Sequence, residues 1–242
     1  MPEETSPRRE ARASAVAILA PTVRPSLSVS LLLVSFGLLA AAGIACTPQG
    51  DPSVGPDGYT DDFEREELGD HWFNTGASWR IIDGQLNISN ARNRPLWLRR
   101  VLPRDARIEF DIRSESPDGD IKCELYGDGT SRATSESYTA TSYVAIFGGW
   151  HNSLNGIARM NEHGDDRVMH PTGQPRSPRV EPGHVYHMRV EREGDVVTSF
   201  IDDTEIARMT DPSPLEGRGH DHFAFNDWEV ELWIDNLRIT PL

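Results

Sequence analysis

Cysteine is almost absent from this 242-residue chain: Cys46 and Cys123 are the only two, so no disulfide framework can hold the fold together. Lysine is scarcer still, with Lys122 alone against 23 arginines, and no polybasic stretch interrupts a formal charge of −14. That balance excludes an electrostatic grip on phosphate backbones, so nucleic acid is not expected as a partner. Schiff-base chemistry has one candidate residue at most, whereas arginine forks suit the recognition of carboxylates or hydroxyl pairs. Gly-x-Ser-x-Gly does not occur, nor does any run spaced like an EF-hand loop. The chain also lacks a long amphipathic helical pattern.

What is present begins with an export signal. Residues 1–26 are weakly basic and rich in Pro, Ser and Ala, no charge falls between Leu27 and Ala45, and the apolar run LLLVSFGLLAAAGIA leads directly to Cys46. Basic, apolar and small-residue segments in that order make a secretory signal, read here as residues 1–45. Gly43-Ile44-Ala45-Cys46 resembles the lipobox of bacterial lipoproteins. The resemblance implies lipidation at Cys46, a lipid anchor as the only membrane contact, and a cell-envelope location with the outer-membrane sorting pattern at Thr47. An uncut 19-residue anchor helix is the alternative. Residues 46–58, rich in Pro, Gly, Ser and Asp, read as a flexible tether.

From residue 59 to 242 the pattern is β throughout. Trp79 to Ile88 reads as two strands around Asp83-Gly84, a strong hairpin signal, and Asp202-Asp203 turns another. Ile108, Phe110 and Ile112 alternate with polar residues, as do Ile121, Cys123 and Leu125, and the pattern recurs at 185–190, 196–201, 223–225 and 230–234. Eight or more such strands predict an all-β, two-sheet antiparallel jelly-roll sandwich in a single domain, with Cys123 in its core.

The order of elements carries a resemblance. Asp61-Asp62-Phe63, the Trp79…Asp83-Gly84-Gln85-Leu86 hairpin, Leu96-Trp97-Leu98, Arg107-Ile108-Glu109-Phe110, the strand from Tyr186 to Val190 and the closing Ile234-Asp235-Asn236-Leu237-Arg238-Ile239 together resemble the concanavalin A-like lectin/glucanase jelly rolls. Within them the chain looks nearest to the 3-keto-disaccharide hydrolase-like domains, although it lacks that group's Asn-Ser-Gly segment. The resemblance implies the fold, and carbohydrate as the partner.

Side chains alternate across a strand, so each core-facing set leaves a second set for solvent or a groove. Asp120, Lys122 and Glu124 form one such set, Arg159, Asn161 and His163 a second, and His222 with Asn226 a third, followed by Trp228. Trp150 after Gly148-Gly149 is the expected sugar platform, beside His151 and Asn152. Converging on one concave face, these residues would bind a glycan. A glycoside hydrolase or polysaccharide lyase using Glu124, His163 and Arg159 is the alternative, and a structural envelope module without ligand is another. Asp120 and Glu124 lie ~13 Å apart along a strand, too far for a retaining pair. No cofactor is required, but a structural calcium on Asp61, Asp62 and Asp235 is a further expectation, since the first and last strands should meet there.

Overall fold

The computed structural model describes residues 50–134 and 138–242. The signal segment and Cys46 lie outside the described residues. Among those described, no helix is long and apolar enough to cross a membrane.

Two antiparallel sheets make up the domain. The first runs in the order β13 (Thr204–Thr210), β12 (Val196–Ile201), β11 (Tyr186–Glu193), β6 (Ala106–Ser114), β15 (Glu231–Pro241), β4 (Gln85–Ser89) and β3 (Arg80–Ile82), with β1 (Tyr59–Asp61) also pairing with β15. The second runs β10 (Val168–Pro171), β9 (Leu154–Arg159), β8 (Tyr143–Gly148), β7 (Ile121–Gly127), β14 (His222–Asn226), β5 (Leu96–Leu98) and β2 (Trp72–Asn74). This is the jelly-roll sandwich that the alternation predicts. Both expected tight turns form, with positive φ at Asp83, Gly84, Asp202 and Asp203, the conformation whose twist matches paired antiparallel strands.

Ile108, Phe110 and Ile112 of β6 point inward while their neighbours remain partly exposed. Across the sandwich Phe110 meets Phe225 edge to face at 5.0 Å, and Phe225 meets Phe223 at 4.9 Å. Cys123 is fully buried in this core, and burial drives its thiol pKa upward, so it behaves as a small hydrophobe.

The outer face of the second sheet is not simply wet. Every residue of β7 and β8 is buried, because Val144, Ile146, Ala140 and Ala158 form a second apolar cluster against which Tyr138, Trp150 and Met169 pack. Lys122 and Glu124 therefore sit beneath a covered surface. The segment read as tether is partly attached as well: Val54 is buried and its N–H bonds the Val101 carbonyl at 2.9 Å.

Candidate functional site

β7 begins where β8 and β14 end, so the loops beyond all three meet at one end of the second sheet. Together with the segments before β8 and after β9, which leave the other end of the sheet and fold back over its outer face, they line a cavity of about 750 Å³. Asp118, Asp120 and Lys122 come from the entry to β7, Trp150 and His151 from the turn after β8, Asn161, Glu162 and His163 from the segment after β9, Trp228, Glu229 and Val230 from the chain after β14, and Asn93, Tyr138 and Thr139 from further loops. Of the residues expected in a groove, Asp120, Lys122, Trp150, His151, Asn161, His163 and Trp228 are thus brought together.

Trp150 is placed by unusual backbone. Gly148, Trp150, His151 and Asn152 all have positive φ, between 50° and 72°, forming a left-handed turn over Gly149–Asn152. Left-handed geometry costs an L-residue roughly 1–2 kcal/mol, so the turn needs an external clamp. Asn152 provides it: its Nδ2 donates to the carbonyls of Val180 (2.8 Å) and Pro117 (3.1 Å), and its Oδ1 accepts the Val180 N–H (2.9 Å). Asn152, expected among the ligand-binding residues, is instead a buried staple. The Trp150 ring lies 5.7 Å from that of His163 in a T-shaped contact, with the Arg167 guanidinium 5.3 Å from its centre.

Lys122 forms the floor. Its side chain is 3% exposed, and Nζ lies 3.2 Å from Asn93 Oδ1, 3.5 Å from Asp120 Oδ2 and 3.6 Å from Glu162 Oε2. Burial works against its charge, but Asp120, Glu162, Asp227 and Glu124 outweigh it and raise the pKa above that of a free lysine. Lys122 is a permanent ammonium.

Beneath the floor lies a second polar layer. Glu124 is fully buried and accepts hydrogen bonds from Tyr138 Oη, Ser142 Oγ and Asn226 Nδ2, the last at 2.7 Å. Burial pushes its pKa up to about 7 despite those donors and Lys122. Asp227 is likewise buried and raised to about 7, chiefly by desolvation, while accepting the N–H groups of Ala91 (2.8 Å) and Val230 (3.1 Å). Asn226 bridges Glu124 to Asn93, so this expected ligand contact supports the floor without lining the cavity.

Two expected residues point elsewhere. Met160 adopts positive φ directly after β9, which breaks the alternation joining Arg159 to Asn161 and His163. Arg159 lies instead on the core side, where its Nε donates to Asp211 Oδ2 at 2.7 Å. His222 faces Asp221 (2.6 Å) and Asp51 (3.2 Å) at the opposite end of β14, paired with Gly127 and displaced by a bulge between His222 and Phe223. The catalytic set Glu124, His163 and Arg159 is therefore not assembled: one member is sealed below the floor and another faces the core.

Asn93, Tyr138 and Glu162 are site residues that strand alternation could not reveal, since each belongs to a loop. Glu162 stood in the acidic stretch after Asn161, its only sequence signal. The calcium set does not gather either. Asp61 accepts the Arg65 guanidinium and the Trp72 indole N–H (2.8 Å), Asp62 caps the Glu64 N–H (3.2 Å), and Asp235 bonds the Asn236 N–H (2.7 Å). Among the described residues no group of three or more His, Cys, Asp or Glu side chains is arranged to hold a metal ion.

No protein-family model and no curated protein matches the chain. Solved structures do. A carbohydrate-binding module, CBM66, from Bacillus subtilis is 16% identical, covering 70% of this chain and 95% of its own at a TM-score of 0.53. The Bacillus licheniformis β-glucanase is 8% identical, covering 81% of this chain and all of its own at 0.55. A putative glycosyl hydrolase from Parabacteroides distasonis is 12% identical, covering 77% and 94%, at 0.53. At such identities the shared property is the fold alone, a two-sheet antiparallel jelly roll.

Proposed function

We propose that this protein is an exported carbohydrate-binding jelly roll that holds a glycan in the cavity above Lys122 without turning it over. The observation that carries the reading is the composition of that cavity. Trp150 and Trp228 line it beside Asp120, Asn161, Glu162 and His163, the mixture of aromatic and forked polar side chains that sugar recognition needs. Neighbours in fold that bear the names of a carbohydrate-binding module and glycanases support the same class of ligand.

Binding is favoured over hydrolysis for a physical reason. A glycosidase needs one carboxyl group protonated at the substrate and a second ionised beside it. The carboxyl groups that burial raises toward neutrality, Glu124 and Asp227, have no exposed surface. Asp120 and Glu162, which do line the cavity, are both ion-paired to Lys122.

A glycan array probed with the purified protein tests the reading, followed by product analysis on each retained glycan. Retention with no released reducing sugar and no unsaturated product is expected. Release of product that stops on Asp120→Asn or Glu162→Gln would make it an enzyme, and failure to retain any saccharide would overturn the carbohydrate assignment. Lipid attachment at Cys46 is part of the proposal, and Cys46→Ser should abolish labelling by a radioactive fatty acid.

A further inference from the structure

We infer that the glycan taken by this cavity carries a free amino group. The inference rests on the carbohydrate reading and adds the charge of the ligand to it. Four carboxylates line the cavity, Asp118, Asp120, Glu162 and Glu229, against the single ammonium of Lys122. That ammonium has almost no exposed surface and is already engaged by Asn93, Asp120 and Glu162, so it cannot receive an anionic sugar. Glu229 is neutralised by Arg92 at 2.9 Å, a pair exposed to solvent at the rim. Among the described residues Asp118 pairs with the exposed His151 imidazole alone, at 3.3 Å.

Asp120 and Glu162 each direct one oxygen to Lys122, Oδ2 and Oε2 respectively. Neither Asp120 Oδ1 nor Glu162 Oε1 accepts a hydrogen bond among the described residues. These two carboxylates already seat one ammonium from below, and their second oxygens, with Asp118, are left for a donor entering from the mouth. A concave, partly desolvated site with excess negative charge focuses the field on a cation and repels uronate or sialate. Trp228 adds to the match, because an aromatic face attracts an ammonium as well as packing against a sugar ring, whereas the Trp150 ring already carries the Arg167 guanidinium. A neutral sugar would bury the excess charge uncompensated; an acetylated amine would do the same.

The test compares glucosamine and galactosamine oligosaccharides, each in free-amine and N-acetyl form, with oligogalacturonate, by calorimetry on the full chain in detergent. The free amine should bind on the order of tenfold tighter than its acetylated counterpart, with an affinity that falls as salt rises, and oligogalacturonate should not bind. Asp118→Asn and Glu162→Gln should each erase most of that preference. Asp118 is exposed, so its variant reports on the ligand even if Glu162→Gln unsettles the Lys122 floor. Equal or tighter binding of acetylated or uronate oligomers, or a preference for the amine that survives both substitutions, overturns the inference while leaving carbohydrate binding standing. Retention of no saccharide of any charge overturns both.

Discussion

The Tyr138 hydroxyl lies 3.0 and 3.1 Å from the two carboxylate oxygens of Glu124, joining a residue that lines the cavity to one buried beneath it. Burial and the neighbouring carboxylate push the Tyr138 pKa far up, so the phenol is the permanent donor of the pair. The carboxyl group of Glu124 is the member that titrates.

The sign of the resulting pH dependence follows. Burial raises Glu124 from 4.5 to about 7 and Asp227 from 3.8 to about 7, so the folded protein holds protons that the unfolded chain releases. Their contribution is fully present below the unfolded values and lost as pH rises through about 7. Thermal melts should show stability falling across that window, by an order of a few kcal/mol per group. Glu124→Gln, whose amide keeps the shape while Ser142 Oγ can reverse its role, should raise the melting temperature above pH 7 and flatten the profile. An unchanged profile would refute the buried titration.

Trp150→Ala removes the proposed platform without touching the main core, since Trp150 packs on the small outer cluster and against His163 and Arg167. Glycan affinity should fall at least tenfold, while the melting temperature shifts far less than for a core aromatic. Affinity electrophoresis beside a thermal melt separates the two effects.

Asn152→Ala strips three hydrogen bonds, two of them buried, and the left-handed preference that asparagine brings to this turn. A loss of about 2–4 kcal/mol in denaturant unfolding is expected, together with weaker glycan binding because Trp150 loses its anchor. Asn152→Gly, which keeps the backbone freedom but not the bonds, should fall between Ala and the parent in stability.

Asp61 is engaged by the fold through Arg65, Trp72 and the Phe63 N–H. Burial disfavours its charge, but hydrogen bonds from Arg65, Trp72 and the Phe63 N–H outweigh this and hold the pKa below the ordinary carboxylate value. Its stabilisation should therefore be lost as pH falls below the usual carboxylate range. Asp61→Asn should cost about 2 kcal/mol, less than a fully buried pair because Arg65 is one-third exposed. Added calcium or a chelator should leave the melting temperature of the parent unchanged, as read by scanning fluorimetry.

Alternation along β6, β7, β11 and β14 was enough to derive two stacked sheets, to bury Phe110, Cys123 and Phe225, and to aim Asp120 and Lys122 at the opposite side, because side-chain direction in a strand is a local property of the backbone. Local pattern also set the two Asp-rich hairpins. It failed at two irregularities: positive φ at Met160 separates Arg159 from His163, and a bulge displaces His222 from Asn226. Only packing in three dimensions decided that Glu124 is sealed under Tyr138 while Asn93 and Glu162, far apart in the chain, meet at Lys122. Those contacts depend on how loops fold back over the outer face of a sheet, a long-range outcome that no period in the sequence encodes.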